Sequence, residues 1–511
     1  MKAMRITALL LALLLTLPLV LFGCSKNDGK KDAGKQQIIS EEEVDESEVY
    51  DAKIRDLGGH EFWFITRTTG VAHLEPNEIY AKELTGDKIN DAVFKRNATL
   101  EETYNCVIKE ERNESPSSAV REMLLAGEYM YDYIYDSVYR LRPLSAQNLL
   151  ADFNTLEEID LSKAWWDQNA IDGLTISGKA FYVTGDAGTM DDRGSQVIYM
   201  NRDIIARAYL DDPYELVREG KWTVEKMVEY MEATKEDIDG DGVYTIGKDR
   251  FGYIGEWQNN YFHMAGFNIH IVETSSSGDV KIPGAVSKEM LAAWQALKPL
   301  LASPYRDISD SGSRFRAGLG TFFGCNLGVL FGGKLSEIDF GILPLPKLNE
   351  EQEYYWTAPH FSITFGYAIP VTTDAASDAE TNGFDSGREQ AAYFLDAFAY
   401  QSRHTLSVAF YDQVMNHQMA KDEETVEMLK LVLEHKHYDI VGLFDFGGLG
   451  RGLFGTVGSN AATDVKGVTG TDANYDNLVS TYESRVQAAR KALNKYINYI
   501  DADDNSALNQ N

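Results

Sequence analysis

Asp237-Ile238-Asp239-Gly240-Asp241-Gly242 sets carboxylates at the first, third and fifth positions of a short run, with glycine at the sixth. That spacing suits Ca²⁺, a hard cation that takes oxygen donors from a sharply turned backbone. The carbonyl of Val243 is the expected seventh-position ligand. Position twelve is Lys248 where Glu is usual, so Asp249, one residue on, is the expected replacement carboxylate. Without an ion the same residues make an Asx-rich turn. In either form the loop is a staple and not a reactive centre. His435 and His437 are two apart, so on a helix they face different ways and read as solvated surface, not as joint metal ligands. Gly-x-Ser-x-Gly, His-Glu-x-x-His and phosphate-cradling glycine loops do not occur. The expectation is a protein that is not an enzyme and requires no cofactor, with structural Ca²⁺ as the one candidate ion.

The chain that must position these residues has 511 of them, too many for one ordinary core. Hydrophobic residues are 44% and charged residues 25%, which fits a globular body. The net charge of −31 excludes a basic nucleic-acid-binding face and disfavours an anionic ligand. It also serves solubility.

Lys2 and Arg5 precede an apolar run, Ala8 to Phe22, of signal-peptide length and too short for a membrane span. Leu21-Phe22-Gly23-Cys24 then resembles the bacterial lipoprotein signal, which implies cleavage before Cys24 and lipid attachment to its sulfur. The expected leader is residues 1–23, followed by a polar tether over 24–57 rich in Glu and Asp. Such a tether spans roughly 30 Å on average, and a two-chain lipid anchor holds it to the membrane. Cys106 and Cys325 are too few and too far apart for a disulfide framework and are expected to be free thiols.

The folded body begins with an expected strand at His60–Thr66. Helices and strands then alternate through Lys88–Asn105, Cys106–Glu110, Ser117–Leu125, Tyr133–Tyr135 and Arg142–Leu149. This β-α-β-α-β-α order argues for a parallel sheet covered by helices. Two extended runs flank a polar loop over Gly178–Tyr199. The strand Gln196–Met200 opens a second unit, with helices at Val224–Thr234 and Ser287–Leu301 and strands at Thr321–Phe323 and Asp339–Leu345. Tyr367–Pro370 reads as a crossing strand. Amphipathic helices follow at Arg388–Gln401 and Tyr482–Tyr499. The expected division is 58–190 plus about 366–420 for one lobe, and 191–365 plus about 421–511 for the other. Ligands of such sheets bind beyond the carboxyl ends of the strands.

Several stretches resemble the extracellular solute-binding protein family 1 of ABC importers. They are Asn90-Asp91-Ala92-Val93 through Glu101-Glu102-Thr103-Tyr104-Asn105, Ala126-Gly127 with Tyr131-Asp132-Tyr133-Ile134, and Asp160-Leu161-Ser162 with Trp165 to Ala170 and Gly178-Lys179. Asn201-Arg202 with Pro213 to Thr223, and Phe340-Gly341-Ile342-Leu343-Pro344-Leu345-Pro346-Lys347, complete the set. The resemblance implies a two-lobed periplasmic-binding-protein fold of type II, with lobes joined by hinge strands. It implies a sugar or oligosaccharide ligand and a separate ABC permease as partner. It also implies a monomer on the extracytoplasmic face of the bacterial cell membrane.

A sugar presents hydroxyls that need carboxylates, amides or Arg, and C–H faces that stack on aromatic rings. Arg67 and Thr68 lie in the loop after the first strand, where the resemblance places ligand contacts. Asp136 and Tyr139 follow the third strand, with Arg142 beyond them. Trp165 and Trp166 are adjacent and cannot share a face, so one is expected in the core and Trp166 is the cleft candidate. Asp186 lies near the expected first crossing. Trp257 and Asn259 combine an aromatic with amides in a loop. Asn326 follows a strand at a position the family uses for ligand contact. Trp356 and the Phe444–Gly448 loop are candidates for the far end. Two other readings stay open: a secreted glycoside hydrolase, which needs two carboxylates roughly 5–10 Å apart across a cleft, and a peptide-binding lipoprotein of similar architecture.

Overall fold

The computed structural model describes residues 45–70, 74–275, 278–309, 312–332, 335, 337–376, 378–415, 423–454 and 477–501. The leader, Cys24 and residues 25–44 lie outside the described residues. Within the body, strands are β1 (His60–Arg67), β2 (Cys106–Asn113), β3 (Tyr133–Ser137), β4 (Gln196–Asn201), β5 (Phe251–Ile254), β6 (Glu273–Thr274), β7 (Val280–Lys281), β8 (Arg306–Asp307), β9 (Gly320–Asn326), β10 (Phe340–Leu343) and β11 (Phe365–Ala368).

Two sheets carry the fold. The first has the order β11-β3-β1-β2, the second β10-β4-β9-β5-β8, and β6 and β7 make a small hairpin. β1, β2 and β3 are parallel, as the β-α alternation requires, while β11 enters antiparallel to β3. In the second sheet β5, β8 and β9 are parallel and β4 runs antiparallel to β9. The chain therefore builds three strands of one sheet, leaves for the other, and returns to complete the first. This is the two-lobed α/β architecture of type II. The reversed strands explain why the sheets are mixed where an all-parallel first sheet was expected: β4 is the strand the chain enters on after leaving the first lobe, and β11 the one it enters on after returning.

Side-chain alternation explains how each sheet is covered. Phe62, Phe64, Tyr133 and Tyr135 point to one side of the first sheet, where Phe394 and Phe398 of the helix Gly387–Ser402 meet them. Phe62 stacks on Phe394 at 4.0 Å between ring centroids. Ile65 and Ile134 point to the other side, among Val120, Leu124 and Leu141. In β4, Val197 and Tyr199 face one core while Ile198 and Met200 face the other. Period-two alternation of apolar residues on both faces is what a strand buried on both sides produces.

The crossings run side by side. Ser195 bridges Pro359, and Thr357 bridges Lys436. Thr357 Oγ1 donates to the carbonyl of Gln196 at 2.7 Å, and Thr357 N donates to the carbonyl of His435 at 3.0 Å. Lys436 Nζ lies 2.8 Å from Asp167, 2.8 Å from Asp191 and 2.7 Å from Asp192, all three carboxylates being largely withdrawn from solvent. One buried ammonium thus ties the third crossing to the first.

The expected tether ends earlier than residue 57. Lys163 Nζ donates to the carbonyls of Glu46 and Val49, Tyr50 stacks on Tyr400 at 4.6 Å, and Leu57 is buried. The apolar residues after Val49 give this stretch enough surface to bury, unlike the acidic run before it. Cys106 is buried and Cys325 half-buried, and neither is joined in a disulfide.

Candidate functional site

The carboxyl ends of β1 and β3 deliver Arg67, Thr68, Asp136 and Tyr139 to one edge of the first lobe. Asp136 is buried and accepts from Ser137 N at 2.7 Å and Ser117 Oγ at 3.2 Å, with Arg67 Nε 3.9 Å away. Burial outweighs these partners and raises its pKa to about 6. A hollow of about 230 Å³ opens here, lined by Arg67, Ser115, Ser117, Asp136, Tyr139 and Arg140. Thr68 contributes its backbone N–H to the carbonyl of Asn113 at 2.8 Å, which fixes the loop.

In the second lobe, register sets the facing edge. Ile254 of β5 pairs with Phe323 of β9; Trp257 follows three residues after Ile254, and Asn326 closes β9 three residues after Phe323. Trp257 is 40% exposed, unusual for an indole. Asn259 is buried and accepts from Glu256 N at 3.1 Å, so it shapes the turn that presents Trp257.

A continuous string of contacts joins the two edges through the second crossing. Tyr139 meets Phe361 edge-on at 5.9 Å, and Phe361 stacks on His360 at 4.4 Å. His360 Nε2 reaches Gln258 Oε1 at 2.8 Å, beside Trp257. Ser362 Oγ lies 2.7 Å from His360 Nδ1. An amide oxygen only accepts, so Nε2 carries the proton and Nδ1 accepts from the serine. Burial and the nearby Arg451 lower the His360 pKa to about 4, which agrees with that neutral ring. The Arg451 guanidinium lies 3.6 Å over Phe361 and 4.6 Å from the Tyr139 ring centroid.

Among the described residues, Ser137 Oγ, Asn326 Oδ1 and Arg451 Nη1 are buried without a hydrogen-bond partner, whereas withdrawn polar atoms are normally paired.

Other sequence candidates lie elsewhere. Trp166 is 2% exposed and, like Trp165, donates its indole N–H to Asp396 Oδ1, at 2.9 and 2.7 Å. Both tryptophans are core, which corrects the expectation of one cleft face; the shared carboxylate lets adjacent indoles be buried together. Asp186 is taken by Arg403 at 2.7 Å and Ser407 Oγ at 2.6 Å. Trp356 is half-buried against Tyr354 and His435 and borders a separate pocket. Phe444 is buried at the end of a short helix, Ile440–Phe444, not in a loop. His437 is 3% exposed, which overturns the solvated-surface reading. Phe361, His360 and Arg451 carried no signal in spacing. A His-Phe pair just ahead of a crossing strand is the one hint the sequence held.

The acidic loop brings three of its four expected carboxylates together, without Asp241. Asp237, Asp239 and Asp249 each offer a carboxylate oxygen within 4.8 Å of the others. Asp237 accepts from Gly240 N and Gly242 N, both at 2.8 Å, and Gly240 (φ +71°) and Gly242 (φ +78°) take the left-handed conformation that glycine allows. Asp249 is buried and accepts from Ile238 N at 2.8 Å and Thr245 N at 2.7 Å. Asp241 turns to its own loop, accepting from Val243 N at 2.7 Å. Lys248 lies 3.6 Å from Asp239. The three converging carboxylates fit a hard dication, with Asp249 standing in for the missing Glu.

No family model and no curated protein sequence matches this chain. Its structure is similar to several solved binding proteins. One is an ABC substrate-binding protein of Listeria monocytogenes in complex with cycloalternan: 11% identity, TM-score 0.48, covering 86% of this chain and 99% of that one. Another is the maltose/maltodextrin-binding domain MalE of Bdellovibrio bacteriovorus bound to maltotriose, with 12% identity, TM-score 0.46 and coverage of 84% and 100%. A third is the GacH receptor of Streptomyces glaucescens, solved unliganded and with acarbose, with 11% identity, TM-score 0.48 and coverage of 85% and 99%.

Proposed function

We propose that this chain is the extracytoplasmic substrate-binding component of an ABC importer, which captures a sugar or oligosaccharide between its lobes. The observation that carries the reading is the chemistry at the strand ends: Arg67, Asp136 and Tyr139 line a hollow on one lobe, and Trp257 exposes its indole on the other. Asp136 is suited to accept from sugar hydroxyls and Arg67 to donate to them. Trp257 offers a face for the C–H side of a ring. Tyr139 and Phe361, pinned by Arg451, give the apolar floor a sugar site needs. None of this breaks a bond; the chemistry is recognition, followed by lobe closure and release to a permease. Anchoring through lipid on Cys24, as a monomer at the outer face of the membrane, completes the reading.

A thermal-shift screen of the tether-free body against oligosaccharides and peptides tests it, since a ligand bound only by the folded state raises apparent stability. Oligosaccharides are expected to raise Tm in a concentration-dependent way, without hydrolysis of nitrophenyl glycosides. Stabilisation by peptides alone, or turnover of a glycoside, defeats the proposal.

We also infer that the Asp237–Asp249 loop holds a structural Ca²⁺ through Asp237, Asp239 and Asp249 and the carbonyl of Val243. Asp241 supports the turn from its own side chain. The ion would staple the loop and take no part in sugar capture.

A further inference from the structure

A second constellation lies away from the strand-end groove, in a pocket of about 800 Å³ bordered by Asn268, His270, Trp356, Lys436, His437 and Tyr438. His270, His437 and Asp439 each offer one ligand atom, and these atoms lie within 4.8 Å of one another. We propose that these three residues bind a transition-metal dication of the Zn²⁺ class.

The donor set argues for that class. Two imidazoles and one carboxylate match the borderline preference of Zn²⁺, whereas Ca²⁺ takes oxygen. The ring orientations are preset by one residue. Asn268 Oδ1 lies 3.1 Å from His437 Nδ1 and 3.1 Å from His270 Nε2. An amide oxygen only accepts, so each of those nitrogens carries its proton. The opposite nitrogen of each ring is then a bare lone pair. For His437 that nitrogen, Nε2, is buried and has no hydrogen-bond partner. A buried acceptor left bare is unfavourable, and a metal ion satisfies it. A hydrogen bond on the far side of a ligating imidazole is the usual way its tautomer is fixed.

Asn268 is itself held in place. It takes a left-handed conformation (φ +55°) just past the helix Asn259–Gly266, and its N–H donates to the carbonyl of Ala265 at 2.8 Å. Asp439 is equally rigid. Its Oδ1 accepts from Val441 N at 2.8 Å and Gly442 N at 3.1 Å, and its Oδ2 accepts from Ile271 N at 2.7 Å. Oδ2 therefore keeps a lone pair for the ion. Metal–donor lengths of about 2.0–2.1 Å imply donor–donor separations of roughly 3.3–3.5 Å in a tetrahedron. The ligand atoms lie within 4.8 Å of one another, so the set would tighten on the ion, chiefly through the exposed His270, and a water molecule would complete the tetrahedron. Such an ion would clamp the segment 268–271 to the third crossing.

Zn²⁺ uptake by the tag-free, chelator-stripped body, in competition with a chromophoric Zn²⁺ indicator, tests the site. One equivalent is expected, with affinity falling at least tenfold in His270→Ala, whose exposed side chain can be removed without disturbing the fold. His437→Ala is expected to lose binding as well, with its circular dichroism and Tm recorded to exclude misfolding. Co²⁺ substitution is expected to give visible ligand-field bands that vanish in His270→Ala. Absence of stoichiometric uptake overturns the proposal. So does uptake that survives His270→Ala but is lost in Asp239→Asn, since that assigns the ion to the acidic loop.

Discussion

Among single residues, Asp136 and Trp257 make the sharpest tests of the groove. Asp136 has a folded-state pKa raised from 3.8 to about 6 by burial. A raised carboxylate pKa means that the folded protein binds the proton more tightly than the unfolded chain. Asp136 therefore imposes no cost below the unfolded value, and a growing one as pH rises from about 4 to about 6. Above that the cost is constant, at up to ~3 kcal/mol. Asp136→Asn should match the parent in urea melts near pH 3.5 and exceed it at pH 7.5, while losing sugar affinity at pH 7.5. Equal stability differences at both pH values would refute the buried-charge account. Trp257→Ala removes a 40% exposed ring, so Tm should barely move. Lost stacking of ~0.5–1.5 kcal/mol should weaken sugar binding about two- to twelvefold by calorimetry. At this scale the sequence pointed to Asp136 through its place near the carboxyl end of the third strand, and to Trp257 as an aromatic beside amides. It was opaque for Trp166, because only the fold brings Asp396 beneath both indoles. It was opaque for Arg451 too, which reaches Tyr139 from a distant part of the chain.

Among elements, the acidic loop separates what a metal does from what a turn does. Asp249 receives two backbone N–H groups whether or not an ion is present. Asp249→Ala should therefore lower stability by ~1–3 kcal/mol even in chelator, because those donors lose their acceptor. Asp239 is exposed, so Asp239→Asn should leave stability in chelator unchanged and abolish the rise in Tm that Ca²⁺ gives the parent. A Ca²⁺-independent Tm in the parent would remove the ion from this loop. The helices Lys88–Tyr104 and Leu478–Asp501 were legible because apolar residues recur on one face over many turns, whereas Gly387–Ser402 is buried nearly all round. The short strand β5, Phe251–Ile254, was not: four buried residues have no periodicity to show. Nor could local pattern reveal that β4 and β11 run against their neighbours, since strand direction is set by which lobe the chain enters from.

In the molecule as a whole, the two-lobed plan was readable from the order of elements, but the junction of the crossings was not, because Lys436 and its three carboxylates come from three separate places in the chain. Its ammonium pairs with Asp167, Asp191 and Asp192 in a site largely closed to solvent. Burial raises the pKa of Asp191 to about 6 even with the lysine in place, so removing the cation leaves charges the interior cannot solvate. Lys436→Met should destabilise by ~3–5 kcal/mol at pH 7.5, the usual consequence of breaking a buried pair by removing one partner. The same variant should recover much of that loss near pH 5, because the orphaned carboxylates bind protons as pH falls through about 6 and above. The parent should recover less from this site: its Asp191 also takes up a proton near pH 6, but the ammonium stays charged and already offsets part of the buried negative charge. Urea melts of both proteins at pH 5 and 7.5 read this directly. A deficit that is the same at both pH values would mean that Lys436 acts by packing and not by charge. In the proposed binding cycle, the crossings it joins are the segments that rotate as the lobes close. Small-angle scattering should therefore show ligand-induced compaction altered in Lys436→Met but preserved in Trp257→Ala at saturating sugar, which separates the hinge from the groove it serves.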